Sequence, residues 1–214
     1  MKKITEIYKE YKIMPMLVMH QMRVAGVAMQ ICESFDIEID KESIVKACLL
    51  HDMGNIIKFK LDQKPEWNEP LGTKYWQGVK DDFTLKYGND EHHASLEIAK
   101  ELGVSTCIYD LINCIDASVA EKIVTEDDFH KKICTYVDNR VSPYGVVSSE
   151  EHSLDAKKRY EDHPHAFNEE SRLYFIKNLY LIEKQIFSHC KVKPEDINDE
   201  SIKKYLEKLQ NTLI

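Results

Sequence analysis

The chain has 214 residues, 43% of them hydrophobic and 31% charged, with a formal net charge of -8. That length allows one well-buried domain, and the balance excludes disordered and fibrous classes. The acidic excess argues against broad binding to nucleic acid or to an anionic membrane, so a phosphorylated ligand would need a local basic patch.

Met1-Lys2-Lys3 is a basic start with no apolar signal core behind it, and no apolar run reaches the length of a bilayer span. The expected location is cytoplasmic. The six cysteines form no CxxC pair and fall mostly in apolar helical stretches, which reads as reduced, buried thiols. Seven glycines and six prolines leave little punctuation for a β-sandwich, and the apolar periodicity predicts helices almost throughout.

Pro15 precedes a helix from Met16 to about Phe35, apolar on more than one side. Asp40 suits the N-cap of a helix from Lys41 to Asp52, and Gly54 suits its stop. Residues Ile56 to Pro70 form a long irregular connection carrying Pro65 and Trp67. Helical periodicity returns from Leu71 to Gly88. Asn89 or Asp90 caps the next helix, Glu91 to Leu102, and another runs from about Ser105 to Val119. Asp127 or Asp128 opens a helix carrying Ile133, Val137 and Asp138, closed by Pro143-Tyr144-Gly145. Ser148 or Ser149 caps a polar helix to about Asp162. An amphipathic helix, Glu169 to Cys190, suits core packing or a dimer surface, and Ser201 to Leu213 makes the last helix. No repeat or linker divides the chain. The prediction is an all-α helical bundle of one domain, 1–214, with a core at about 16–145 and a C-terminal helical extension at about 148–214.

The block Ala47-Cys48-Leu49-Leu50-His51-Asp52-Met53-Gly54-Asn55 puts two good metal ligands side by side where a helix ends. Side chains of neighbours on an ideal helix diverge by about 100°, yet both reach one cation near a fraying end. His20 faces the same point if its helix packs antiparallel to the next, which the short connection from about Asp36 to Asp40 favours. Asp138 sits late in an apolar helix, where a buried carboxylate needs a partner and a metal is a good one.

The order of these strings, His20-Gln21-Met22-Arg23, then Leu49-Leu50-His51-Asp52-Met53-Gly54-Asn55, then Tyr136-Val137-Asp138, resembles the HD-domain superfamily of metal-dependent phosphohydrolases over roughly residues 16 to 145. The resemblance implies His20, His51, Asp52 and Asp138 as metal ligands. It also implies a histidine from Asp90-Glu91-His92-His93-Ala94, for which His92 is favoured over His93. Members with two metals carry a further histidine. Here that region offers Asn113, Cys114 and Asp116, which favours one metal per chain unless Asp116 substitutes. His and carboxylate ligation suits Mn, Fe, Co, Ni or Zn without choosing among them.

The implied chemistry is hydrolysis of a small phosphorylated metabolite, with a nucleotide phosphomonoester preferred because nothing suggests an extended basic groove. Asp52 would orient the attacking water and Glu91 would accept its proton. Candidate phosphate contacts are Arg23, Asn55, Lys58 and Arg140. The segment Ile56 to Tyr87, with Trp67, Tyr75 and Trp76, would cover the site and stack on a base. Alternatives are an HD-type di-iron oxygenase and a non-catalytic nucleotide-sensing module, and a homodimer stays open.

Competing explanations exist for several of these residues. Arg23 can pair with a carboxylate, Arg140 and Glu91 can complement helix dipoles, and Lys58 can be solvated. His130, His152, His163, His165 and His189 lie in polar or terminal stretches, and Lys157-Lys158-Arg159 reads as a solvated helix face.

Overall fold

Pro15 occupies the first helical position of the longest helix, where its missing N–H costs nothing, and the helix runs to Ser34. The computed structural model describes residues 1–116, 119–159 and 168–214. The described residues form α1 (Ile4–Glu10), α2 (Pro15–Ser34), α3 (Lys41–Leu50), α4 (Thr73–Tyr87), α5 (Glu91–Glu101) and α6 (Thr106–Asn113). They continue as α7 (Ala120–Thr125), α8 (Phe129–Asp138), α9 (Ser149–Arg159), α10 (Glu169–Phe187) and α11 (Asp199–Leu209). The sole sheet among the described residues is a hairpin of β1 (Val141–Ser142) and β2 (Gly145–Val146). The fold is all-α.

The predicted caps set where α3, α5, α8 and α9 start. Asp40 accepts from the backbone N–H of Ser43 at 3.1 Å and Asp90 from that of His93 at 2.7 Å. Asp128 accepts from the N–H groups of His130 and Lys131. Each bond satisfies a donor that the first helical turn leaves orphaned. Ser148 opens α9 the same way, accepting from the N–H of Glu151 while Glu151 accepts from the N–H of Ser148.

α2 is buried on several sides because α3 and α11 both pack on it, with α8 beside them. His20 near the start of α2 meets the residues just after α3, as an antiparallel pair requires. Tyr8 of α1 donates its hydroxyl to the Leu49 carbonyl at 2.6 Å, pinning the end of α3 from below. The apolar core runs from Ile4 to Leu209 and includes Ile182, Ile202 and Tyr205, so the C-terminal helices share it with the N-terminal ones.

Some boundaries differ from the sequence reading. The helix expected from Ser105 to Val119 ends at Asn113, and α11 lies two residues earlier than expected at its start and ends at Leu209. α1 and α7, of seven and six residues, are too short to show a periodic stripe. The hairpin turns at Pro143-Tyr144, where the sequence signals only a helix stop. His163 and His165, and the expected helix end near Asp162, lie outside the described residues.

Candidate metal centre

α3 delivers His51 directly past its last residue, still in helical backbone geometry at φ -62° and ψ -31°. Nδ1 of His51 donates to the Cys48 carbonyl at 2.8 Å. The other nitrogen, Nε2, therefore faces the site, where it lies 3.2 Å from Asp138 Oδ1 and 3.5 Å from Asp52 Oδ1. His20 enters from α2, with Nε2 3.1 Å from Asp138 Oδ1 and 3.5 Å from Asp52 Oδ2. The two imidazoles and the Asp52 carboxylate thus form one tight cluster, and the Asp138 carboxylate reaches both imidazoles from α8.

The donor set fits a first-row divalent metal. With metal–ligand bonds of about 2.1 Å, neighbouring ligand atoms stand roughly 3.0–3.4 Å apart in octahedral or tetrahedral geometry. The observed separations of 3.1, 3.2, 3.5 and 3.5 Å fall near that range. The hydrogen bond to Cys48 fixes the His51 tautomer as ligating histidines usually require.

The electrostatics express the same convergence. Burial opposes the protonated form of His51, yet the Asp52 and Asp138 carboxylates outweigh it and push the imidazole up to about 10. Burial alone would raise the Asp138 carboxyl, but hydrogen bonds from His20 and His51 hold it well below the usual carboxylate range.

The turn after His51 and Asp52 is held by α5. The Gly54 N–H donates to Ser95 Oγ at 2.9 Å, and Ser95 in turn donates to the Glu91 carbonyl at 3.0 Å. Gly54 has φ -92°, open to any residue, so it is not the left-handed helix stop that its position suggested. A Cβ there would collide with the Glu91 carbonyl and stand 2.6 Å from Ala94 Cβ. Glycine lets the turn after His51 and Asp52 press against α5.

The centre opens into a cavity of about 130 Å³. His20, Asp52, Asp138, Asn55 and Lys58 line it with Met16, Phe59, Trp67, His152, Ala156 and Arg159. The sequence alone places His152 and Arg159 on a polar, solvated helix. Their signal was a spacing of seven residues on α9, with Ala156 between them, but no apolar stripe marked that face. Burial lowers the His152 imidazole to about 4 against the pull of Asp138, so it is neutral at pH 7.

Other predicted site residues lie elsewhere. Arg140 is buried and spends its guanidinium on the scaffold: Nε donates to the Val147 carbonyl at 2.6 Å, and Nη2 to those of Pro194 and Ile197 at 3.1 and 3.2 Å. Arg23 Nε pairs with Asp199 Oδ1 at 3.1 Å, tying α2 to α11. Glu91 reaches Lys58 Nζ at 3.6 Å and does not line the cavity. His92 is half-buried and His93 exposed at the start of α5, and among the described residues neither joins the cluster of His20, His51 and Asp52. Trp67 lines the cavity, whereas Trp76 is buried away from it and donates Nε1–H to the Asn68 carbonyl at 3.0 Å.

Among the described residues, no helix is long and apolar enough to cross a membrane. A family model described as HD domain matches residues 17–126, just over half of the chain. The match takes in His20, His51 and Asp52 and stops short of Asp138, His152 and Arg159. No curated protein and no solved structure matches the chain.

Proposed function

The chain belongs to the HD-domain family, and from that membership we propose that it is a metal-dependent phosphohydrolase acting on a small phosphorylated metabolite, a nucleotide phosphomonoester by preference. The observation that carries this reading is the cluster of His20, His51 and Asp52, with Asp138 in reach of both imidazoles, beside a small, partly cationic cavity lined by His20, Asp52 and Asp138. These four residues would hold one divalent transition metal. When bound, such an ion supplies an activated water and a positive charge for a phosphoryl oxygen.

The chain's own groups divide the remaining work. The Asp52 carboxylate spans both imidazoles, one oxygen toward each, which fixes its plane and leaves it placed to accept a hydrogen bond from an attacking water. Lys58 brings an ammonium to the cavity wall for phosphoryl charge, and Asn55 adds a buried amide. Glu91 is 3.6 Å from Lys58 Nζ, so its part in this reading is to position that ammonium rather than to move the proton. His152 offers a neutral imidazole, a hydrogen-bond partner that adds no charge.

The cavity is smaller than the roughly 300–1,000 Å³ that engulfs a whole drug-sized ligand. It suits a phosphoryl group and its nearest atoms, with the rest of the substrate toward the mouth. Phe59 and Trp67, whose ring centroids are 5.6 Å apart, give the wall an aromatic surface that favours a nucleobase. Release of phosphate from a panel of nucleotides and sugar phosphates, with each divalent metal returned to stripped protein, tests the proposal. Activity is expected with at least one metal and none from Asp52→Ala; full activity in that variant refutes the mechanism.

A further inference from the structure

We infer that α9 is the substrate-recognition wall of this site, with Arg159 taking an oxygen of the bound phosphoryl group and Ala156 keeping the room it needs. The inference rests on the phosphohydrolase reading and assigns the contacts within it. His152, Ala156 and Arg159 stand at positions i, i+4 and i+7 of α9, which places them within a narrow arc of one helix face. All three line the cavity that holds the metal ligands. The buried residues of α9 are Ser149 and Ser153, so no hydrophobic stripe accounts for the helix lying against the site.

The simpler explanation of Arg159 is that basic residues at a helix C-terminus complement its dipole. Lys157 and Lys158 fit that explanation, being exposed on the same last turn. Arg159 differs, because its side chain is only 15% exposed and faces the cavity. A dipole effect does not require a cation to leave water. The Nε–H of Arg159 donates to Asp155 Oδ2 at 2.6 Å, which holds the planar guanidinium in one orientation. A fixed fork of donors recognises a phosphoryl group better than a mobile ammonium does. Lys58 comes from the turn after α3 and Arg159 from α9, so two elements distant in sequence bring positive charge to one small cavity. Ala156 lies between His152 and Arg159 on this face, where a larger side chain would occupy the space over the ligands.

The test is calorimetric titration of inorganic phosphate into the metal-loaded full-length chain, with metal content measured for each variant. Arg159→Ala should weaken phosphate binding about tenfold or more, as loss of a charge-assisted hydrogen bond does, and leave metal content and melting temperature unchanged. Arg159→Lys should recover part of the loss. Ala156→Leu should also weaken phosphate binding without loss of metal, and Lys157→Ala should change nothing. Wild-type protein that binds phosphate, with Arg159→Ala and Ala156→Leu binding it equally well, overturns the role of α9 and leaves the phosphohydrolase reading standing. An equal loss in Lys157→Ala and Arg159→Ala overturns it too, since that outcome is general electrostatics. Metal-loaded wild type that binds no phosphate removes both readings together.

Discussion

His51 donates its Nδ1–H to the carbonyl oxygen of Cys48 at 2.8 Å, one turn earlier in the chain. That bond directs the ring, which can then offer only Nε2 toward His20, Asp52 and Asp138, as the proposed ligand role requires. His51→Ala should therefore cost metal affinity at least 100-fold, since loss of an outer-shell partner alone typically costs 10–100-fold. Metal analysis after dialysis against a limiting chelator measures this, and wild-type metal retention by the variant would remove His51 from the ligand set.

The same geometry links metal uptake to protons. The two carboxylates hold His51 protonated up to about pH 10, and a ligating imidazole must give up that proton. Metal affinity should then rise with pH, by about tenfold per unit across the neutral range if one proton is displaced. Calorimetry in buffers of different ionisation enthalpy should show about one proton released per metal bound. Affinity that stays flat from about pH 6 to about pH 9 would contradict that linkage.

Arg140 and Gly54 separate scaffold from site. Arg140→Ala strands the carbonyl groups of Val147 and Ile197, takes a second donor from that of Pro194, and should cost about 3–5 kcal/mol of stability. Gly54→Ala forces a Cβ into α5 and should cost about 1–3 kcal/mol. Urea denaturation of the metal-free proteins gives both numbers. An Arg140→Ala variant of full stability with impaired phosphate binding would return Arg140 to the substrate.

How far the sequence revealed this arrangement depended on range. His20, His51, Asp52 and Asp138 were readable because each is a polar residue set in an apolar helical run, a local anomaly needing an explanation. The caps were readable for the same reason, since an Asp cap and the N–H it satisfies are two or three residues apart. Arg140 was not, because its Nη2 acceptors come 54 and 57 residues later and nothing local distinguishes it from a phosphate contact. His152 and Arg159 were missed because tertiary packing, not an apolar stripe, carries α9 to the cavity. His92 and Glu91 open α5, and the turn after Asp52 meets that helix through Ser95 instead.

The two tryptophans, Trp67 and Trp76, should respond differently. Trp67 lines the cavity, so Trp67→Ala should fold normally and raise KM for a nucleotide by about tenfold, the effect of losing one base-stacking partner. Trp76 is 2% exposed and donates to the Asn68 carbonyl, so Trp76→Ala should lose about 3–5 kcal/mol of stability. Kinetics on the best nucleotide of the screen, paired with thermal melts, distinguishes them. Unchanged kinetics in Trp67→Ala would withdraw the stacking role.

His152 provides a stability test that needs no substrate. Burial lowers its native imidazole to about 4, while an unfolded histidine titrates near 6.5. Between those values the unfolded chain carries a proton that the native one refuses, so acid favours unfolding. The contribution is fully present above about pH 6.5 and is lost as pH falls through about 4. His152→Gln cannot titrate and should be spared this loss. Between about pH 7 and about pH 4.5 the metal-free wild type should lose about 2 kcal/mol more stability than the variant. Urea midpoints at the two pH values, taken as a difference between the proteins, cancel every other titrating group shared by both. Parallel losses would mean that water reaches the His152 ring freely, and the neutral imidazole assigned to the cavity wall would have to be given up.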